Sequence, residues 1–276
     1  MNRKKNISIL GCGWLGFPLA KMLVSKGYAV KGSTTSATKL QNFADAKIVP
    51  YLVQFSDDPS PENLPNFLEA QVLVIAIPPG RKNPDKNSHF KNMAEIVARE
   101  VKGSAVKKLI FVSSTSVYGD RNQEVDEYTL PKPDDASGEL LLEVENLFTL
   151  IPDIQVCILR LSGLIGPSRH PASFFVGKQN VPNGLAPVNL IHLADATGII
   201  LKLIEIDDAR GVYVGSSPTH PTKQEFYTLA AKQAGLELPT FLNELNNWKI
   251  VNSSRISTEL GYPFIVQDLL KWVSSS

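Results

Sequence analysis

The sequence predicts an α/β fold: a doubly wound parallel sheet with helices on both faces and a small lobe formed by C-terminal segments. Three observations carry this. Short apolar runs alternate with helix-like stretches through the first half, in "ISILG", "YAVKGS", "AKIVPYLV", "VLVIAIPP" and "KLIFVSS", the pattern of parallel strands joined by crossovers. The runs "VLVIAI" and "LIFV" lack polar alternation, as strands buried on both faces do. Past "VCILRLSGLIGP", glycine and proline become dense between residues 163 and 187, which marks a change of architecture.

The first element, "ISIL", is a strand leading into a loop. The basic start and the Cys in "MNRKKNISILGC" imitate an export signal, but Ile7 to Leu10 falls short of the roughly 7 to 15 apolar residues such a signal needs. The loop that follows, "GCGWLG", places Gly11, Gly13 and Gly16 in a GxGxxG pattern between a strand and a helix. Gly11 permits the tight turn, Gly13 lets the backbone approach a pyrophosphate, and Gly16 allows close packing of helix on strand, while the helix N-terminus favours the anion. The context predicts a Rossmann-type dinucleotide site; the competing reading is that the glycines serve only a tight turn. Trp14 and Leu15 inside the loop, and Ile77 of "VLVIAI", complete the expected cofactor contacts at this end. Cys12 reads as a small residue tolerated in the loop.

The second strand ends in "AVKGSTTSATK", where an NAD site places a carboxylate on the ribose hydroxyls about 20 residues past the glycines. Thr34 stands there instead. Ser33, Thr34, Thr35 and Ser36 offer hydroxyls and Lys39 a charge, which favours NADP, with NAD left open. The alternative is that these residues cap the next helix. Arg81 and Lys82 follow the strand "VLVIAIPPG", where ligands bind in doubly wound folds; a solvated loop is the competing reading.

In the second half, "GELLLEVENLFTL" carries Leu140, Leu141, Val144, Leu147 and Phe148 as a helical stripe. "VNLIHLADATGIILKLI" restores a strand and a helix, "GVYVGSS" reads as a strand, and "KQEFYTLAAKQAG" as a helix closed by Gly235. The closing "SSS" reads as a frayed tail. These patterns assign residues 1–165 and 186–215 to the dinucleotide domain, and 166–185 and 216–276 to the substrate lobe.

With "FVSSTSVYGD" added to these patterns, nearly the whole sequence resembles the extended short-chain dehydrogenase/reductases, the NAD-dependent epimerase/dehydratase superfamily. The resemblance rests on the glycine loop, "SSTSVYG", "LRLSGLIGPSR", "LIHLADAT" and "GVYVGSSPTHPTKQEF". It implies that Ser114 polarises a substrate hydroxyl or carbonyl, that Tyr118 is a further acid/base candidate, and that Arg169 lies near a substrate phosphate. For Ser114 the competing reading is a strand end, and for Arg169 an exposed loop residue.

The family's catalytic Tyr and Lys stack one helical turn apart, where the ammonium lowers the phenol pKa. Aligned through Gly138 and Glu145, "SGELLLEVE" puts Ser137 and Leu141 at those positions, so the dyad is missing and the chain resembles the atypical, YeeZ-like branch. The Tyr128–Lys132 pair in "EYTLPKP" is no replacement, because Pro131 denies it helical geometry. Ser137 reads as a helix N-cap.

Twenty-eight basic and 27 acidic residues leave a net charge of +1, so no field draws the chain to nucleic acid or to an anionic membrane. No apolar run nears the roughly 20 residues of a membrane span. Two distant cysteines, Cys12 and Cys157, imply reduced thiols and a cytoplasmic setting. His89, His170, His192 and His220 lack metal-site spacing, so no metal is expected; His192 reads as structural. The resulting expectation is an NADP-dependent oxidoreductase or epimerase/dehydratase-like enzyme acting on a small polar substrate, with a homodimer through a four-helix contact as the assembly the resemblance offers. The alternative is a non-catalytic, NADP-responsive binding or regulatory protein. A 6-phosphogluconate-dehydrogenase-like reading of "GCGWLG" is disfavoured, since that class ends in a large helical domain.

Overall fold

The computed structural model of the chain describes residues 4–56, 60–79 and 84–275. Among them run strands β1 (Asn6–Leu10), β2 (Ala29–Thr34), β3 (Val49–Leu52), β4 (Val72–Ile75), β5 (Lys108–Ser114), β6 (Gln123–Val125), β7 (Gln155–Leu161), β8 (Gly163–Ile165), β9 (Leu190–His192), β10 (Gly211–Gly215) and β11 (Lys249–Val251). The helices are α1 (Gly16–Ser25), α2 (Leu40–Asp45), α3 (Leu64–Phe67), α4 (Pro84–Val101), α5 (Ala136–Thr149), α6 (Leu193–Glu205), α7 (Lys223–Gln233), α8 (Ser254–Thr258) and α9 (Leu269–Ser274).

Seven strands form one sheet in the order β10-β7-β5-β4-β1-β2-β3. β1 pairs in parallel with both β2 and β4, and the parallel pairing continues from β2 to β3 and from β4 to β5. The chain therefore winds outward from β1 through β2 to β3, returns to β4 beside β1, and winds the other way. That reversal between β1 and β4 is the switch point at which doubly wound folds bind ligands.

The central strands follow from their composition. All four residues of β4 are buried, as are Leu109, Ile110 and Phe111 of β5, so neither strand has a solvent face to mark with polar residues. Helix α5 buries Leu141, Val144 and Phe148 on one face, with Leu140 and Leu147 half-buried beside them. Its N-cap is Asp135, whose carboxylate accepts the Gly138 N–H at 2.7 Å. This corrects the assignment of the cap to Ser137, which lies inside the first turn. Asp134, the other nearby acid, is occupied by the Asp120 N–H and the Arg121 guanidinium.

By backbone contacts the chain divides into two compact units. The first comprises Met1–Ser114, Asp135–Leu159 and Ile200–Val212, and the second Thr115–Asp134, Arg160–Ile199 and Tyr213–Ser276. The second unit has its own apolar centre, in which Phe226, Leu269, Val273 and Ile165 are fully buried. A capping box starts α7, with the Thr222 hydroxyl accepting the Glu225 N–H and Glu225 accepting the Thr222 N–H. Gly235, at φ +65°, ends it. Buried Asp195 ties down the C-terminal segment, accepting hydrogen bonds from the Tyr262 hydroxyl and from the backbone N–H groups of Ile265 and Val266. Among the described residues no helix is long and apolar enough to cross a membrane.

Candidate functional site

The glycine loop stands at the switch point. Gly11 leaves β1 with φ +96°, a left-handed conformation that costs other residues, and a Cβ there would meet Ile77 Cγ1 at 2.6 Å. The chain turns at once, with the Gly13 N–H donating to the Gly11 carbonyl at 2.9 Å, and α1 begins when the Phe17 N–H donates to the Gly13 carbonyl at 3.0 Å. Pro18 fits the first turn because that position needs no N–H donor. A Cβ on Gly16 would collide with the Gly11 carbonyl oxygen, so helix and strand approach as closely as backbone permits. A Cβ on Gly13 would meet nothing within 4 Å. Gly13 is exposed, Trp14 half-buried and Leu15 buried.

These features fit an anionic group over the loop. The start of α1 carries no acidic side chain in its first turn, so the positive end of the helix is left to whatever approaches it. Open space at Gly13 lets that group come close to the backbone. Cys12 supplies no anion of its own, since burial pushes its thiol up to about 12.

The hydroxyl run after β2 separates into two kinds of residue. Ser33 is buried, and its Oγ accepts the Gly11 N–H at 2.9 Å while its carbonyl accepts the Cys12 N–H at 3.0 Å. It faces the glycine loop rather than solvent. Thr34 is half-buried and its hydroxyl accepts the Ser36 N–H at 3.1 Å. Thr35 and Lys39 are exposed, and Ser36 shares a 2.8 Å hydrogen bond with Thr38. Ser36 precedes the short helical turn Ala37–Lys39 without a side-chain cap bond.

Ser114 ends β5, half-buried at the carboxyl edge of the sheet. Beside it the Ser113 hydroxyl donates to Glu145 of α5 at 2.5 Å, both side chains being buried. Ser137 is half-buried and Leu141 buried at 3% exposure. In the second unit, Tyr118 is buried at 1% exposure, and its hydroxyl accepts a hydrogen bond from Arg160 at 2.8 Å, with the guanidinium 5.0 Å from the ring centre. The phenol is thus a partner for a buried cation. Arg169 is exposed in a tight turn closed by mutual backbone hydrogen bonds with Gly166. Tyr128 is 76% exposed in a turn, and Leu130 to Pro133 belong to neither helix nor strand, so Tyr128 and Lys132 share no helix face. Arg81 and Lys82 lie outside the described residues.

His192 ends β9, and its Nδ1 accepts the Ala194 N–H. No group of three metal-ligating side chains occurs among the described residues. Sequence reading missed the Ser33 contacts, the buried Ser113–Glu145 pair and Arg160; each joins residues at least 22 positions apart, and only the hydroxyls themselves signalled the first two.

A parallel sheet that reverses beside a strand-loop-helix glycine turn defines a doubly wound α/β fold of the Rossmann type. Solved structures share it. The UDP-glucuronic acid 4-epimerase of Bacillus cereus, in complex with UDP-glucuronic acid and NAD, matches with a TM-score of 0.79 at 19% identity over 97% of this chain and 96% of that one. A functionally unknown conserved protein from Silicibacter pomeroyi matches with a TM-score of 0.76 at 21% identity, over 99% and 98%. No family model matches the chain. Among curated proteins, Protein YeeZ of Escherichia coli (strain K12) is 37% identical over 270 residues, 96% of this chain and 98% of the relative. The chain belongs to the YeeZ family.

Proposed function

We propose that the chain binds a nicotinamide dinucleotide, NADP in preference to NAD, and acts as an oxidoreductase or epimerase/dehydratase-like enzyme on a small polar substrate without the usual Tyr–Lys dyad. The observation that carries this is the glycine loop at the switch point: Gly11 in a left-handed turn, Gly16 pressed on the Gly11 carbonyl, and open space at Gly13. Gly13, Trp14 and Leu15 would hold the pyrophosphate at the start of α1, and Ile77 would line the same crevice. Thr34 in place of a carboxylate removes the repulsion a 2′-phosphate would meet. Exposed Thr35, half-buried Ser36 and the Lys39 ammonium are the groups left to bind that phosphate. The NAD held by the Bacillus cereus epimerase supports the cofactor class.

The cofactor, when bound, supplies hydride transfer. The chain's own part is to bind and orient it, and Ser114, at the carboxyl edge of the same sheet, would hydrogen-bond the substrate's hydroxyl or carbonyl. Tyr118, the other acid/base candidate, accepts the bond from Arg160 and keeps its own O–H proton to give. Arg169 is the candidate contact for an anionic substrate. Apolar Leu141 at the dyad's Lys position favours a second reading, a non-catalytic protein that reports NADP occupancy to a partner. Calorimetric titration tests the binding claim: NADPH should bind more tightly than NADH, and equal affinities or a preference for NADH would refute the NADP assignment. A substrate screen that follows NADPH absorbance separates the two readings, since turnover sinks the non-catalytic one.

A further inference from the structure

We propose that Ser33 is a positioning residue of the pyrophosphate loop, not a ligand of the adenosine 2′-phosphate; this rests on the dinucleotide reading above. Ser33 adjoins Thr34 in the run of hydroxyls that the sequence offers to a 2′-phosphate, yet it is 3% exposed. Both of its polar groups that the sheet leaves over turn inward to the loop. The hydroxyl accepts the Gly11 N–H at 2.9 Å and the carbonyl accepts the Cys12 N–H at 3.0 Å.

The residue before it completes the cradle. Gly32 pairs with Ile9 in the β1–β2 register, and a Cβ there would lie 2.9 Å from Cys12 Sγ and 2.8 Å from Ile48 Cγ2. A side chain at Gly32 would therefore displace Cys12 and Ile48 from their places against β2. Cys12 is therefore packed, not merely tolerated: its thiol is buried, against Gly32 and 3.7 Å from the Ile9 carbonyl that accepts it. The end of β2 thus grips the two residues that open the turn. Loss of the Ser33 acceptor leaves the Gly11 N–H without that bond at the residue whose left-handed φ sets the loop, and the loop's fit to a pyrophosphate is what suffers.

Dinucleotides and a fragment separate this role from phosphate recognition. NADPH and NADH both carry the pyrophosphate; 2′-AMP carries the 2′-phosphate without it. In the full-length chain, Ser33→Ala should weaken NADPH and NADH by the same factor, roughly fivefold or more for one lost hydrogen bond, and leave 2′-AMP binding unchanged, which also shows that the variant is folded. Ser33→Thr, which keeps the hydroxyl, should restore dinucleotide binding towards the wild-type value. Lys39→Ala should do the reverse of Ser33→Ala, weakening NADPH and 2′-AMP and sparing NADH. If Ser33→Ala weakens 2′-AMP and NADPH but not NADH, or changes no affinity, the inference falls while the dinucleotide reading stands. If the wild-type chain binds neither dinucleotide, the reading falls and takes the inference with it.

Discussion

Gly13→Val separates the loop's task from the fold's. The Gly13 backbone lies outside the left-handed region, and a Cβ there meets nothing within 4 Å, so the variant should match the wild type in stability to within about 0.5 kcal/mol, as open surface positions do. The new methyl groups fill the space where a pyrophosphate must approach. Each charge-assisted hydrogen bond lost at the helix start is worth about 1.5–3 kcal/mol, a fall in affinity of about 10- to 150-fold. Gly16→Ala is the contrast, because its Cβ falls on the Gly11 carbonyl oxygen. That overlap should cost about 1–3 kcal/mol of stability as well as binding. Thermal melting and NADPH titration of both variants read the two effects. A Gly13→Val protein that melts with the wild type and binds NADPH equally well would refute the loop assignment.

Further outcomes follow from the same geometry. Thr34→Asp should reverse cofactor preference, lowering NADPH affinity about tenfold or more and raising that for NADH, read by titration with each. In any activity a screen uncovers, Ser114→Ala should lower kcat/KM by about 100-fold, whereas Tyr128→Phe and Lys132→Ala should leave it unchanged; a hundredfold loss in either would place a general acid/base in the "EYTLPKP" loop. Asp195→Ala strips an acceptor from Tyr262, Ile265 and Val266 and should cost about 3 kcal/mol, or about 5 °C in Tm. Burial lowers the pKa of His192 and of His220. Below the unfolded value near 6.5 the unfolded chain takes up protons first, so stability should fall as pH drops from there towards the folded values. Urea melts at successive pH values should show a shallower decline in His192→Gln and His220→Gln.

The architecture was legible because its signals are local. Unbroken apolar runs mark buried strands, and "GCGWLG" between a strand and a helix marks the turn. Gly235 announces the end of α7 in the same way. What stayed hidden depends on register or on distant partners. Nothing in "KGSTTS" says which hydroxyl faces inward until β1 and β2 are paired with Ile9 opposite Gly32. Three capping residues crowd "DDAS", and the choice of Asp135 follows only once Asp134 is seen to bind the Asp120 N–H. Glu127 reads as part of a polar loop, yet it is buried and accepts hydrogen bonds from Val214, Ser254 and Arg255, at least 87 positions away. Tyr118 has a family motif around it, but its bond to Arg160 spans 42 positions and leaves no trace in the motif.

Whether this loop holds a dinucleotide is decided by a crystal structure of the chain grown with NADPH. The pyrophosphate should lie over Gly13 at the start of α1 and the 2′-phosphate beside Thr35, Ser36 and Lys39, with Ser33 still bonded to the Gly11 N–H. NADPH bound elsewhere, or a loop left empty at saturating cofactor, would contradict the dinucleotide reading.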